Sequence, residues 1–437
     1  MKWFLNITYA ALLTLLSPVI LWRSLRHGRY SRGWREKLLG QLPQSSGEKP
    51  VVWFHAVSVG EVVQLTKVVN AFRDRVGDSH QIVITTSTDT GFELAATRFE
   101  GCTVTWFPLD FSWAVSSAIQ RIRPDLVVLF ELELWPNFLN ACDAANVKTA
   151  LINARMSDKS FAGYSRIQRL IRPLFQQFAI VAAQTQQYAD RLQRLGTKPM
   201  VTTVTGSIKF DGVLTDRNNP ATQELRRLFG IANNELVFIA GSTQAPEEQM
   251  AIDAWMSLRE TSPSLRVILV PRHRERFDEV ADLVKDAGLT LCRRSQVDGS
   301  DVATPDAVCL LDTIGELSAC WGLADIAFVG GSFGPRGGQN MLEPAAFGAA
   351  VMFGPNTSNF RDITSRLLEI NGAVRIHSDA EMASQLASLV TDEPRRIQLG
   401  QAAQQLVLQQ AGALDRTIEL LTQQLSVAAA PSESRAA

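Results

Sequence analysis

The sequence predicts an α/β protein with two doubly wound domains and an N-terminal membrane-anchor helix. Three observations carry that expectation. The 437 residues exceed what one core holds, because single cores stop growing at roughly 250–300 residues. Short apolar runs alternate with amphipathic stretches, the pattern of a parallel sheet covered by helices on both faces. That alternation occurs twice, on either side of the polar stretch Thr215–Pro220.

The N-terminal element comes first. Trp3 to Trp22 contains no charged residue. At ~1.5 Å per residue such a helix spans ~30 Å, the hydrocarbon thickness of a bilayer. Pro18 could kink or end it. Arg23, Arg26, Arg29, Arg32, Arg35 and Lys37 follow. Positive charge is retained on the cytoplasmic side, and it attracts anionic head groups. Residues 3–37 are therefore expected to contact membrane lipids, with the remainder on the cytoplasmic face of the inner membrane. A cleaved signal peptide fits less well, since no A-x-A site precedes the basic cluster. A helix lying in the interface or buried in the core stays open.

The first α/β series runs Val51–His55, Gln81–Thr86, Val104–Pro108, Asp125–Phe130, Thr149–Asn153, Ile180–Ala183 and Val201–Thr205, with a helix over Glu61–Arg75. The second runs Leu236–Ala240, Val267–Val270, Val308–Leu311, Ile326–Val329 and Val351–Phe353. The expected division is 1–37 anchor and basic collar, 38–215 first domain, 216–425 second domain, and 426–437 a disordered tail rich in Ala, Ser and Pro. Two Rossmann-like domains facing each other across a cleft are the economical arrangement. Ligands in such sheets bind beyond the carboxyl ends of the strands.

Composition narrows the function. A formal net charge of −1 gives no support for a nucleic-acid binder. The five cysteines are scattered, without a CxxC or Cys/His cluster, so neither zinc nor a disulfide framework is indicated. Neither GxGxxG after the first strand nor GxxxxGK[ST] occurs, which argues against dinucleotide oxidoreductases and P-loop enzymes. No DxD pair is placed to carry a metal-bound diphosphate, and no cofactor is implied.

Candidate site residues sit just after the strands. In HAVSVGE (His55–Glu61), Glu61 falls in the first turn of a helix. It could cap that helix, or it could act as a general base. In FELELWPN (Phe130–Asn137), Glu131 and Glu133 share a face if the strand continues. Carboxylates at an apolar strand end need a cation; GSIKFD (Gly206–Asp211) offers Lys209, which could equally be a solvated loop lysine. In the second half, AGSTQAPEE (Ala240–Glu248) resembles an anion-binding strand–turn–helix. VPRHRERF (Val270–Phe277) puts Pro271, Arg272 and His273 at a strand end, with Arg274 and Arg276 as surface charges. DTIGEL (Asp312–Leu317) turns into a helix. Six glycines fall between Gly330 and Gly348, in a loop opening a helix at Asn340 or Met341. Glu343, in its first turn, could accept hydrogen bonds from ribose hydroxyls.

Taken in order, HAVSVGE, ELELWPN, NARMSDKS, TGSIKFD, AGST, PRHRERF, DTIGEL, FVGGS and GGQNMLEPAA resemble the 3-deoxy-D-manno-octulosonic acid (Kdo) transferases of lipopolysaccharide assembly. The resemblance covers almost the whole chain. It implies the fold called GT-B, two facing Rossmann-like domains, with CMP-Kdo as donor, a lipid A precursor (lipid IVA) as acceptor, and inversion at the anomeric carbon. It implies Glu61 as base, and Glu131 and Lys209 in a transition-state role. It implies CMP contacts at Pro271, Arg272, Ile314, Gly315, Glu316, Asn340, Met341, Leu342 and Glu343, with no metal. The chain departs from the family pattern at Gln339, where many relatives have His, at Met341 in place of a common Pro, and at Gln244-Ala245-Pro246-Glu247. Another GT-B enzyme using a different nucleotide sugar, or an inactive membrane-tethered lipid A binder, are the competing readings.

Overall fold

The computed structural model describes residues 2–27, 32–297 and 303–429. These residues divide into two compact units, Met1–Asp211 with Gln410–Ala437, and Gly212–Gln409. Each is built on a seven-stranded parallel sheet.

The first sheet contains β1 (Val51–His55), β2 (Gln81–Thr86), β3 (Thr103–Trp106), β4 (Leu126–Phe130), β5 (Lys148–Ala154), β6 (Ile180–Ala183) and β7 (Thr202–Val204). Their spatial order is β3-β2-β1-β4-β5-β6-β7. Every residue of β1 and β4 is buried, because helices cover both faces. Side chains alternate accordingly: Val51 and Trp53 enter one core, Val52 and Phe54 the other. The order reverses between β1 and β4, so their carboxyl ends flank the position where such sheets bind ligands.

The second sheet contains β8 (Leu236–Thr243), β9 (Leu265–Pro271), β10 (Leu291–Arg293), β11 (Val308–Leu310), β12 (Ile326–Val329), β13 (Ala350–Phe353) and β14 (Ala373–Arg375), in the order β10-β11-β9-β8-β12-β13-β14. Here the reversal lies between β8 and β12.

Three expectations are corrected. The first concerns the C-terminus. The helix Ala413–Ala429 belongs to the first unit, not the second: Ala413, Ile418 and Leu421 share a core with Val62, Leu65 and Val68. Asp211 clasps the returning chain, its carboxylate accepting from Gly412 N and Leu414 N at 2.6 Å each. Helix also persists through 426–429, the start of the expected tail; 430–437 lie outside the described residues.

The second concerns the anchor. Helix α1 (Lys2–His27) forms, but among the described residues no helix is long and apolar enough to cross a membrane. Uncharged is not the same as apolar: Asn6, Thr8, Thr14, Ser17 and Pro18 dilute the run. Asn6 is instead buried. It donates to Ser112 Oγ at 2.8 Å and accepts from Ser112 N and Asn137 Nδ2.

The third concerns the basic collar. Lys37 is buried, with its ammonium 3.7 Å from the Trp106 ring centroid, so it does not face head groups. Arg32 pairs with Glu93 at the surface, and Arg29 lies outside the described residues.

Candidate active site

In the first unit, β1 ends at His55 and the helix Val59–Val76 begins four residues later. Ser58 caps that helix, accepting from Glu61 N. The Glu61 carboxylate folds back, taking the Ser58 hydroxyl at 2.8 Å and Val57 N–H at 2.9 Å. This is a capping-box arrangement, and it fixes the rotamer of a half-buried carboxylate at the sheet's reversal point. Capping and proton transfer are therefore compatible. Two acceptor lone pairs are engaged, and a carboxylate has about four.

Across the reversal, β4 stops at Phe130 and does not continue in register. Glu131 has a left-handed backbone, φ 61°, so the period-two relation expected between Glu131 and Glu133 is broken. A non-glycine residue held there costs about 1–3 kcal/mol and marks a position the surroundings over-determine. Glu133 accepts from the Trp135 indole at 2.7 Å. Burial foremost, and then the negative charges of Glu61 and Glu131, push its carboxyl up from 4.5 to about 7. The folded chain thus keeps this proton where an unfolded glutamate has lost it. The associated stability is complete below about pH 4.5 and lost as pH rises through about 7. Glu133→Gln is expected to melt near the wild-type temperature at about pH 4.5 and above it at about pH 8. A melting difference that is the same at both pH values would contradict this.

Lys209 lies on the short turn Ile208–Phe210 after β7. Among the described residues it makes no ion pair. What fixes its loop is Asn153, which the sequence reading did not single out. Asn153 also has a left-handed backbone, φ 50°. Its side chain accepts from Ile208 N at 3.2 Å and donates to Gln64 Oε1 at 3.3 Å. Gln64 in turn donates to Gly60 O. The lysine turn is thereby tied to the first turn of the helix that carries Glu61. The only sequence signal was an Asn closing a strand.

In the second unit, the turn after β8 differs from the expected anion site. Strand β8 continues through Thr243, and a helix starts at Glu247. Glu247 is 1% exposed. Its carboxylate accepts from Gln244 N (2.9 Å), Gly331 N (2.7 Å), Ser332 N (2.8 Å) and Phe333 N (3.0 Å). The amide cradle at the reversal between β8 and β12 is filled by the chain's own carboxylate. A side chain at Gly330 would collide with it, the added carbon lying 2.7 Å from Glu247 Oε2.

The remaining expected nucleotide contacts sit at one edge of this sheet. Pro271 closes β9, and the exposed Arg272 is anchored by its N–H on Thr243 O at 3.0 Å. Ile314 is 77% exposed. Gly315 has φ 93°, which lets the turn close. Glu316 is engaged by Arg294 at 3.0 Å and by the Thr313 hydroxyl. Asn340 donates to Glu343 Oε1 at 3.0 Å, while Ser318 donates to Glu343 Oε2 at 2.9 Å. That last bond joins the short helix Leu317–Cys320, which follows the DTIGEL turn, to the helix Leu342–Ala346. Met341 and Leu342 are the exceptions. Their side chains are buried in the core, so only their main chain can meet a ligand.

The family model for 3-deoxy-D-manno-octulosonic-acid transferase (kdotransferase) matches residues 32–212. Over 420 residues the chain is 32% identical to the 3-deoxy-D-manno-octulosonic acid transferase of Haemophilus influenzae, covering 94% of this chain and 97% of that one. The crystal structure of the C-terminal CMP-Kdo binding domain of WaaA from Acinetobacter baumannii matches 43% of this chain and 95% of its own, at 29% identity and TM-score 0.40. The UDP-GlcNAc 2-epimerase of Neisseria meningitidis shares the two-unit α/β fold at TM-score 0.51 and 12% identity, covering 85% of this chain and 100% of that one.

Proposed function

Because the chain belongs to the Kdo transferase family and is a glycosyltransferase, we propose that it transfers Kdo from CMP-Kdo to a lipid A precursor such as lipid IVA, inverting the anomeric carbon. The supporting observation is the reach of the likeness: it runs over nearly the whole chain, so the glutamate-bearing turns of the first unit and the GGQNMLEPAA segment of the second fall within it. In this reading Glu61 takes the proton of an acceptor hydroxyl as that oxygen attacks the anomeric carbon. The bond from that carbon to the phosphate oxygen breaks, and CMP leaves with the electron pair. Glu131 and Lys209 stabilise the charge that develops in the transition state. Arg272, Ile314–Glu316 and Asn340–Glu343 hold the nucleotide. The backbones of Met341 and Leu342 contribute, since their side chains are internal.

A lipid acceptor requires access to a membrane surface. Helix α1 exposes Trp3, Ile7, Leu12, Leu15, Leu16, Val19 and Trp22. This supports a helix lying in the interface of the inner membrane, on its cytoplasmic side, with the sheets in the cytoplasm. Purified protein, CMP-Kdo and lipid IVA in anionic vesicles should yield a product heavier by one or more Kdo residues in mass spectrometry. No mass gain with CMP-Kdo, or equal transfer from another nucleotide sugar, would overturn the donor assignment. Failure of the protein to float with the vesicles would overturn the interfacial placement.

A further inference from the structure

Beside the glycine-rich loop of the second unit lies a cavity of about 400 Å³ with no assigned role. Its walls come from the carboxyl ends of β13 and β14 and from the start of the helix Arg361–Glu369. Arg361 and Arg375 both line it, along with the hydroxyls of Thr357, Ser358 and Thr364. No carboxylate is among the lining residues, and neither guanidinium is ion-paired among the described residues. Arg375 Nε is enclosed and without a hydrogen-bond partner. Arg361 is exposed and Arg375 half-buried, whereas three more enclosed guanidinium groups of this unit are matched: Arg266 with Glu235, Arg276 with Glu248, Arg293 with Asp312. The enclosed Nε of Arg375 lacks an acceptor, which an anion entering the cavity beside Arg361 would supply.

The cavity is built rather than incidental. Asn356 donates through Nδ2 to Phe333 O and Gly334 O, and its N–H donates to Ser332 O. Gly337 packs so closely on this wall that an added carbon would lie 2.3 Å from Ser358 Oγ. The glycine-rich loop and the segment after β13 are thereby joined at the ligand-binding edge of the sheet. The amide cradle just after β12 is closed to outside anions, because Glu247 occupies it.

We propose that this cavity is the subsite for the carboxylate of the donor's acidic sugar, with Arg361 and Arg375 as its cations and the Ser358 hydroxyl as an additional donor. The inference rests on the donor assignment above. Arg361→Gln and Arg375→Gln should each raise the KM for CMP-Kdo roughly tenfold or more, the size expected for one charge-assisted hydrogen bond. The inhibition constant of CMP should stay at the wild-type value, because CMP lacks the sugar carboxylate. If Arg375→Gln melts below the assay temperature, Arg375→Lys replaces it, with a smaller rise in KM expected. Unchanged KM in active variants would overturn the proposal. So would a rise in the CMP inhibition constant parallel to KM, which would assign the cations to the phosphate. Lack of wild-type turnover with CMP-Kdo would instead sink the donor assignment itself, and this subsite with it.

Discussion

Glu61→Gln is expected to lower kcat by about 10²–10⁴, the range for loss of a general base, with little change in either KM. The substitution keeps the shape of the carboxylate and one acceptor oxygen. It removes the basic oxygen and places an NH₂ opposite either Val57 N–H or the Ser58 hydroxyl. A capping role alone predicts something different. Losing part of a helix cap costs about 1 kcal/mol, which for a unit of this size lowers Tm by only about 2–4 °C, leaving kcat of the folded fraction intact. Measuring kcat and Tm on the same preparation separates the two. A variant with a slightly lower Tm and wild-type turnover would leave Glu61 as a cap and nothing more. Glu133 is pushed up to about 7 partly by the charge of Glu61, so the two carboxyls share one electrostatic environment.

The strands of both units were legible because parallel strands buried on two faces must be continuous apolar runs, as in Val51–His55 and Leu126–Phe130. The three-residue strands Leu291–Arg293 and Ala373–Arg375 were missed: as half-buried edge strands they have no such run. Helical periodicity shows that Ala413–Ala429 has an apolar face but not which sheet it packs against, hence its assignment to the wrong unit. For α1, counting charges overestimated how apolar the helix is. At the site, the named residues were sought in the turns after the strands because Rossmann-like sheets bind ligands there, and the structure places them in such turns. The conformations within those turns were not readable. Nothing in ELELW announces that Glu131 leaves the extended region. Nothing in NARMSDKS announces that Asn153 binds Gln64, 89 residues earlier.

Glu247→Ala should destabilise the second unit by about 3 kcal/mol or more. In sequence Glu247 is an ordinary acid in a helix's first turn, favoured there by the macrodipole for some tenths of a kcal/mol. In the fold it is, among the described residues, the sole acceptor for three successive main-chain N–H groups, Gly331 to Phe333, and it also takes Gln244 N–H. Removing the carboxylate leaves four donors in a region where the side chain was 1% exposed, and each unsatisfied buried group costs about 1–3 kcal/mol. Water entering the space recovers part of that sum. The net figure corresponds to a fall in Tm of about 6–12 °C for a unit of this length. The effect should reach the donor side as well. Gly338 N–H donates to Gly331 O at 2.8 Å, so a loosened Gly331–Phe333 turn frees the segment leading to Asn340 and Glu343. Small carboxylates such as formate should restore part of the lost Tm in the alanine variant, since they fit the vacated cradle and match its charge. A variant that melts like the wild type would mean that the four amides find other partners at no cost. Loss of stability without any response to formate would point to packing rather than to the anion.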